Sequence, residues 1–358
     1  MENAAYMSGS RPFAFAVPGD LATPTGGYAY DRRMIAELAA LGWHADVIDL
    51  GPEFPRPSAA ARTAACECLM RVPPGRCVVV DGLALGVIPE IAAELAKTHG
   101  LVALIHHPLA LETGLSATQA AALRDSERAS LAAAHHVVVT GAATARLLVC
   151  QYAVDAARIT VAPPGVDQVA RMPSLRGGTV GLLSVGAIVP RKGYDVLLAA
   201  LAKLEDLPWR LTIVGAYNRS PETVAELNAA LVRFELSHRI RLAGTVSSQE
   251  LAAHYASADV FVLASRHEGY GMAFAEAIAH GLPVIGTTAG AIPDTVPPGA
   301  GILVPPDDSD ALAVALRRVI DDAGERANLA AGARDAAADL PSWRGSATIF
   351  AHVLEAVS

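Results

Sequence analysis

The chain holds 358 residues, 52% of them apolar and 18% charged, with a formal net charge of −8. That length exceeds one ordinary core and suits two domains, and the apolar fraction excludes a disordered chain. The acidic balance argues against a nucleic-acid partner and weakens the case for docking on an anionic membrane. Lysine occurs only as Lys97, Lys192 and Lys203, so each lysine asks for an explanation. Cys66, Cys68, Cys77 and Cys150 form no C-x-x-C pair, which reads as unpaired thiols in a reducing compartment. Residues 1–10 lack an apolar stretch, so no secretory leader is expected. No run of about 18 apolar residues suggests a spanning helix, so the expected location is cytoplasmic.

Taken in chain order, short apolar runs alternate with alanine-rich helical stretches. Strands are expected at 13–17, 45–50, 78–81, 102–105 and 137–140, with a helix at 31–41 after the first of them. A second series is expected at 181–186, 210–214, 240–243, 260–263 and 283–286, with a helix at 196–204. Continuous β-branched runs separated by helices indicate parallel strands buried on both faces. Two such series predict two doubly wound, Rossmann-like α/β domains. The densest Pro/Gly punctuation between them is APPGVDQVARMPSLRGGT at 162–179. It predicts domains of 1–168 and 177–340, with a last helix in 341–358.

Residues 265–286 read SRHEGYGMAFAEAIAHGLPVIG. The strand at 260–263 leads into a loop with Gly269 and Gly271, and the pattern predicts a helix over 272–279 that stops at Gly281. Glu268 then stands just before the helix start and Glu276 one turn inside it. The amino end of a helix offers unpaired N–H groups and a positive dipole end, which favours phosphate. Eight residues rise roughly 12 Å, the scale of the gap between the two polyhydroxyl ends of a nucleotide sugar. One carboxylate can accept from a ribose and the other from a hexose, each charge-assisted bond being worth about 1.5–3 kcal/mol. On these residues alone, two solvated helix carboxylates remain an equal reading. PPDDSD at 305–310 reads as a helix-start loop, where carboxylates cap more often than they bind a cation. With no H-E-x-x-H and no Cys/His cluster, no metal is expected.

The longer stretch SRHEGYGMAFAEAIAHGLPVIGT, followed by AGAIPDTVPPGAGILVPPDD, resembles the donor half of retaining family-4 glycosyltransferases of the GT-B fold. The signature of that family spaces two glutamates by seven residues. This chain keeps Ser265, Glu268, Gly269, Tyr270, Gly271, Glu276, Ala277, Gly281, Pro283 and Val284 of it. VGAIVPRKG at 185–193 matches the family's V-G-R…K-G turn at Lys192 and Gly193, and Lys192 would hold the donor diphosphate. The family's arginine after the first glycine is Ala187 here, and Arg191 beside Lys192 could supply the missing charge. Gly244, Thr245 and Val246 would edge the nucleobase. Gly26 and Gly27, on the first strand-to-helix loop, would let backbone approach the diphosphate and the acceptor. His106 and His107, just past a strand end, would lie on the sugar and acceptor side, with His106 the better match. Gly165 and Asp167 match the family's interdomain turn.

The resemblance covers nearly the whole chain from about residue 12. It implies two Rossmann-like domains facing each other across a cleft, with the last helix crossing back to the first. It implies transfer of a hexose-type sugar, with retention, from a nucleoside-diphosphate sugar to an unidentified acceptor. A UDP-sugar is the first expectation. That donor is a co-substrate, and no resident cofactor is expected. His106, Lys192 and Glu268 would serve the chemistry. Gly26, Gly27, Arg191, Gly244, Val246, Gly269, Tyr270, Gly271, Met272 and Glu276 would hold the donor. His107 would face the acceptor. The loss of the arginine at Ala187 leaves a non-catalytic nucleotide-sugar-binding protein as an alternative, and a GT-B-shaped nucleotide-sugar epimerase is another. A dinucleotide-dependent dehydrogenase is a weaker reading, because no strand runs into G-x-G-x-x-G. Arg56, Arg62, Arg71 and Arg76 give the first domain only a mild basic face, so a soluble acceptor is favoured over a membrane one.

Overall fold

A computed structural model describes residues 11–167 and 178–358. Residues 1–10 and the middle of the expected boundary stretch, 168–177, lie outside the described residues. The chain divides into two compact units, one running to Gly165 and resuming at Pro341, the other spanning Val166–Leu340.

The first unit holds β1 (Arg11–Val17), β2 (Trp43–Asp49), β3 (Cys77–Asp81), β4 (Gly100–Ile105), β5 (His136–Val139) and β6 (Ile159–Val161). They form one sheet in the order β2-β1-β3-β4-β5-β6, every neighbouring pair parallel. The central strand β3, CVVVD, is buried along its whole length, as a strand covered by helices on both faces must be. β2 is an edge strand, with His44, Val47 and Asp49 exposed. The helix Trp343–Val357 belongs to this unit, with Trp343, Phe350 and Leu354 buried. Its start packs tightly. A Cβ on Gly165 would stand 2.1 Å from the Trp343 amide nitrogen, so glycine is required there.

The second unit holds β7 (Val180–Val185), β8 (Trp209–Val214), β9 (Ile240–Gly244), β10 (Val260–Val262), β11 (Val284–Thr287) and β12 (Gly301–Val304). Their order is β12-β11-β10-β7-β8-β9, again all parallel. Each unit has its own apolar core, one centred on residues such as Val80, Ile105 and Val139, the other on Leu183, Ile213, Phe261 and Phe274.

Two strands went unread in the sequence. β6 and β12 are three and four residues long and lie at sheet edges beside Pro/Gly-rich turns. Sheet pairing rather than local pattern makes them strands. The first helix also begins earlier than expected, at Gly26, because the Thr25 side chain accepts from Tyr28 N and caps it. Gly26 and Gly27 therefore open a helix instead of lining a loop. The helix expected at 196–204 is Tyr194–Leu201 followed by a tighter turn, Ala202–Leu204.

In both sheets the chain direction across the sheet reverses once, between β1 and β3 and between β7 and β10. Loops leaving the carboxyl ends of the two strands at such a point diverge and leave a crevice.

Candidate active site

The loop after β7 and the loop after β10 flank the reversal in the second sheet. Lys192 ends a short 3-10 turn, Pro190–Lys192, in the first of these loops. Gly193 follows with φ +66°, and a Cβ there would meet the Ala264 carbonyl oxygen at 2.0 Å. No other residue allows the loop to close so tightly on the end of β10. The Lys192 stem lies along Gly186, where a Cβ would stand 3.1 Å from Lys192 Cε.

Lys192 Nζ donates to Glu268 Oε1 at 2.7 Å. Arg191 Nη1 reaches Glu268 Oε2 at 3.3 Å and donates to the His267 carbonyl at 2.8 Å. Ser265 Oγ also donates to Glu268 Oε1, at 2.6 Å. Glu268 is buried, yet its carboxyl is held down at about 2. Burial alone would raise it, but the Lys192 and Arg191 charges and the bonds from Lys192 and Ser265 outweigh that cost. Its backbone is fixed as well, since Ala291 N donates to the Glu268 carbonyl at 2.9 Å. Arg191 thus points into the same cluster as Lys192, so Glu268 meets two cations.

The helix Met272–Ala279 opens at Gly271, φ +91°, with no side-chain cap. Phe274 N donates to the Gly271 carbonyl at 2.9 Å, and a helix start without a side-chain cap favours an anion at the amides before it. Gly269 and Tyr270 complete the turn, and the Tyr270 carbonyl is tied down by Thr295 Oγ at 2.6 Å. Glu276 sits on that helix with Oε2 accepting from Tyr255 Oη at 2.8 Å. Burial raises its carboxyl, and the Tyr255 bond opposes the shift. The Tyr255 ring stacks on His280 at 4.9 Å between centroids. At the end of β9, Gly244 is buried, Thr245 exposed and Val246 half-buried. The exposed ring of Tyr217 lies over Gly244, its Cε2 3.0 Å from where a Cβ would be.

In the first unit, His106 follows the end of β4 and turns its Nε2 inward, 3.1 Å from Asp31 Oδ1 and 3.6 Å from Asp81 Oδ2. The Tyr30 ring meets His106 edge-on at 5.3 Å, and Gly27 lies against its other side, 3.3 Å from Cβ position to Cδ2. Burial disfavours the imidazolium, but the Asp31 charge and hydrogen bond, with Asp81, raise His106 above its ordinary value. His107 Nε2 lies 2.5 Å from Glu112 Oε1. The turn carrying both histidines is anchored by Glu127, which accepts from Leu109 N at 2.6 Å and Ala110 N at 3.3 Å. Among the arginines of the expected basic face, Arg71 pairs with Glu67 and Arg76 with Asp46, which weakens that face further. In PPDDSD, Asp308 caps the helix Ser309–Asp321, while Asp307 and Asp310 pair with Arg266 and Lys203.

Lys192, Arg191, Glu268, Gly269, Tyr270, Gly271, Met272 and Glu276 therefore gather at the reversal point of the second sheet, with Gly244 and Val246 at the end of β9. Gly26, Gly27, His106 and His107 gather at the carboxyl ends of the first.

Residues 179–322 match the family model described as Glycosyl transferases group 1. This segment is a group 1 glycosyl transferase domain. The D-inositol 3-phosphate glycosyltransferase of Kineococcus radiotolerans is 33% identical over 237 residues, covering 58% of this chain and 54% of the relative. The chain spans about half the length of such curated relatives. Sucrose-phosphate synthase from Thermosynechococcus elongatus aligns with a TM-score of 0.82 at 22% identity, covering 97% of this chain and 99% of that one. Anabaena HepE, solved with UDP and glucose, gives 0.74 at 19% identity over 97% and 99% of the two chains. These likenesses establish the fold as the GT-B kind, with two Rossmann-like units around the group 1 domain and its companion. Among the described residues, no helix is long and apolar enough to cross a membrane.

Sequence reasoning missed Tyr255, Tyr217, Asp31, Asp81 and Glu127 as site-shaping residues. The one signal available was Asp81, a carboxylate closing a fully apolar strand run, CVVVD. The others are linked to their partners only through sheet order.

Proposed function

We propose that the chain is a glycosyltransferase that binds a nucleoside-diphosphate sugar, first among them a UDP-sugar, at the β7–β10 reversal. It transfers the hexosyl group, with retention, to an acceptor hydroxyl. The observation that carries this reading is the triad of Glu268, Lys192 and Arg191 set beside an uncapped helix start. A diphosphate at the amides of this helix start meets a positive dipole end and two cations. An ammonium has three protons, so Lys192 can keep its bond to Glu268 and still donate to phosphate. Glu276, oriented by Tyr255, takes the ribose hydroxyls, and the base lies by Gly244–Val246 next to Tyr217. HepE, solved with UDP and glucose, is similar in fold, and the curated relatives are named as glycosyltransferases.

The bond from the anomeric carbon to the departing phosphate oxygen breaks and a bond to the acceptor oxygen forms on the same face. The acceptor proton passes to the departing phosphate. Lys192, Arg191 and the helix amides offset the negative charge that develops on the leaving group. A carboxyl at about 2, already bonded to two cations and a serine, is a weak nucleophile. That favours an orienting role for Glu268 over a covalent intermediate of the kind retaining hydrolases use. His106, with Nε2 turned into the protein, offers a ligand only its outer edge, on the sugar or acceptor side.

The test is a thermal-shift comparison with UDP-, GDP- and ADP-sugars. A ligand that binds only the folded chain stabilises it by about 2.7 kcal/mol at a hundred times its Kd. The UDP-sugar should raise the melting point most. If no nucleotide sugar raises it, the reading is lost. Epimerisation of the donor without any acceptor would instead place the chain among nucleotide-sugar epimerases.

A further inference from the structure

Arg266 stands in the loop after β10, between Ser265 and Glu268 of the donor cluster, and its guanidinium reaches three other segments. Nη1 donates to the Pro190 carbonyl at 2.5 Å and to Asp195 Oδ1 at 3.1 Å, Nη2 to Asp195 Oδ2 at 2.7 Å, and Nε to Asp307 Oδ1 at 2.7 Å. Pro190 opens the 3-10 turn that ends in Lys192, and Asp195 lies in the first turn of the helix Tyr194–Leu201. Asp307 lies between β12 and the helix Ser309–Asp321. We propose that Arg266 is a positioning residue of the donor site, whose guanidinium, held by Asp195 and Asp307, fixes the turn that presents Lys192 and Arg191 to a diphosphate. This rests on the donor reading above and adds to it a group that sets the geometry of the two cations.

Reciprocity between the two loops supports this first. Arg191 Nη1 donates to the His267 carbonyl at 2.8 Å, and Arg266 Nη1 donates back to the Pro190 carbonyl. Between them, Arg266 N donates to the Arg191 carbonyl at 2.8 Å. The turn before Gly193 is thus gripped at two successive carbonyls, one by side chain and one by main chain. Lysine and arginine stems are long and rich in rotamers, so the aim of both cationic heads depends on where this turn sits. A misplacement of about 1 Å can cost on the order of a hundredfold.

The form of the ion pairing supports it second. The Arg266 side chain is 26% exposed, and those of Asp195 and Asp307 are 64% and 60% exposed. A lone pair at such exposure contributes little. A guanidinium bonded in parallel to one carboxylate, and shared with a second carboxylate and a carbonyl, is the arrangement in which surface pairs do count.

Backbone strain supports it third. Asp307 has φ +61°, a left-handed conformation that a Cβ disfavours. Glycine would fit that backbone with less strain, but only a carboxylate there meets Arg266 Nε. Strain of this kind persists where the surroundings hold it in place. Asp308 beside it has a separate task, capping the helix through Ala311 N at 2.8 Å.

The full chain and its variants are titrated calorimetrically with UDP and UMP, and with GDP and GMP, and melted without ligand. Wild type should bind a diphosphate more tightly than the matching monophosphate. In Arg266→Ala the Kd of that diphosphate should rise roughly tenfold and that of the monophosphate less than about threefold, because the terminal phosphate loses the fixed aim of its cations. Arg266→Lys, a point charge without the fork, should not restore the affinity. Asp307→Gly relaxes the backbone and removes only the carboxylate. It should melt within about 2 °C of wild type and still weaken the diphosphate about threefold. A wild-type diphosphate Kd in Arg266→Ala, or in Asp307→Gly should Arg266→Ala not fold, overturns the proposal. Equal weakening of diphosphate and monophosphate, with a lowered melting point, would mean general loosening of the loops and would also overturn it. Wild type that binds none of these nucleotides sinks the donor reading itself, and the role of Arg266 with it.

Discussion

At the scale of single residues, the donor-side chemistry rests on how Glu268 is held. Its carboxyl sits at about 2 against an ordinary 4.5, so the folded state binds its proton more weakly than the unfolded chain does. The stabilisation is therefore present above pH 4.5 and is lost as pH falls toward 2. Glu268→Gln leaves Lys192 and Arg191 without their anion in a mostly buried place. It should lose on the order of 3 kcal/mol in urea unfolding at pH 7, the range for breaking such a pair. The gap from wild type should close between pH 4.5 and 2; a gap that stays constant would separate Glu268 from acid unfolding. Tyr255 acts through Glu276. With Tyr255→Phe the Glu276 carboxylate loses a donor at 2.8 Å. KM for the nucleotide sugar should rise roughly tenfold, about 1.4 kcal/mol, with kcat little changed. A fall in kcat alone would mean that Glu276 does not hold the ribose.

At the scale of elements, the site is built by loops that close on strand ends. Gly290 has φ +59°, and a Cβ there would lie 2.3 Å from the Glu268 carbonyl oxygen. Gly290→Ala must push the Glu268 backbone away and strain its own. It should lower the melting point by several degrees and weaken donor binding together, since a ΔΔG of 1 kcal/mol moves a domain of this size by about 2–4 °C. Retained donor affinity in a folded Gly290→Ala protein would show that Glu268 tolerates displacement. On the first unit, Glu127 anchors the His106–His107 turn through Leu109 N and Ala110 N and is buried with Tyr152. Glu127→Ala strands those amides and should cost about 2–3 kcal/mol, read as a lower urea midpoint with an unchanged slope.

At the scale of the whole molecule, each unit has its own sheet and its own core. A nucleotide whose contacts fall on the second unit should protect that unit's amides most. In hydrogen exchange with UDP, slowed peptides should concentrate at 186–193, 244–246 and 265–276. Equal protection across β1–β6 would count against the assignment of the donor to the β7–β10 reversal. Pairing of Arg71 and Arg76 with nearby acids weakens the mild basic face expected on the first unit.

What the residues determined by themselves was local: most of the strand runs, the helix at 272–279 that carries Glu276, and that Glu268 and Lys192 sit beside turns with glycine. Apolar runs such as CVVVD and LLSV declare buried parallel strands, because covered sheets leave no polar face to show. The edge strands β6 and β12 stayed hidden because a three- or four-residue segment becomes a strand only when a neighbour pairs with it. Only the tertiary structure decided which strand ends are neighbours. It turned Arg191 toward Glu268, set Tyr255 under Glu276, made Gly26 and Gly27 the first turn of a helix, and drew Asp31, Asp81 and His106 together. The reason is physical: periodicity reports each residue's own environment, whereas contacts between crossovers depend on strand order, which the chain fixes only by closing the whole sheet.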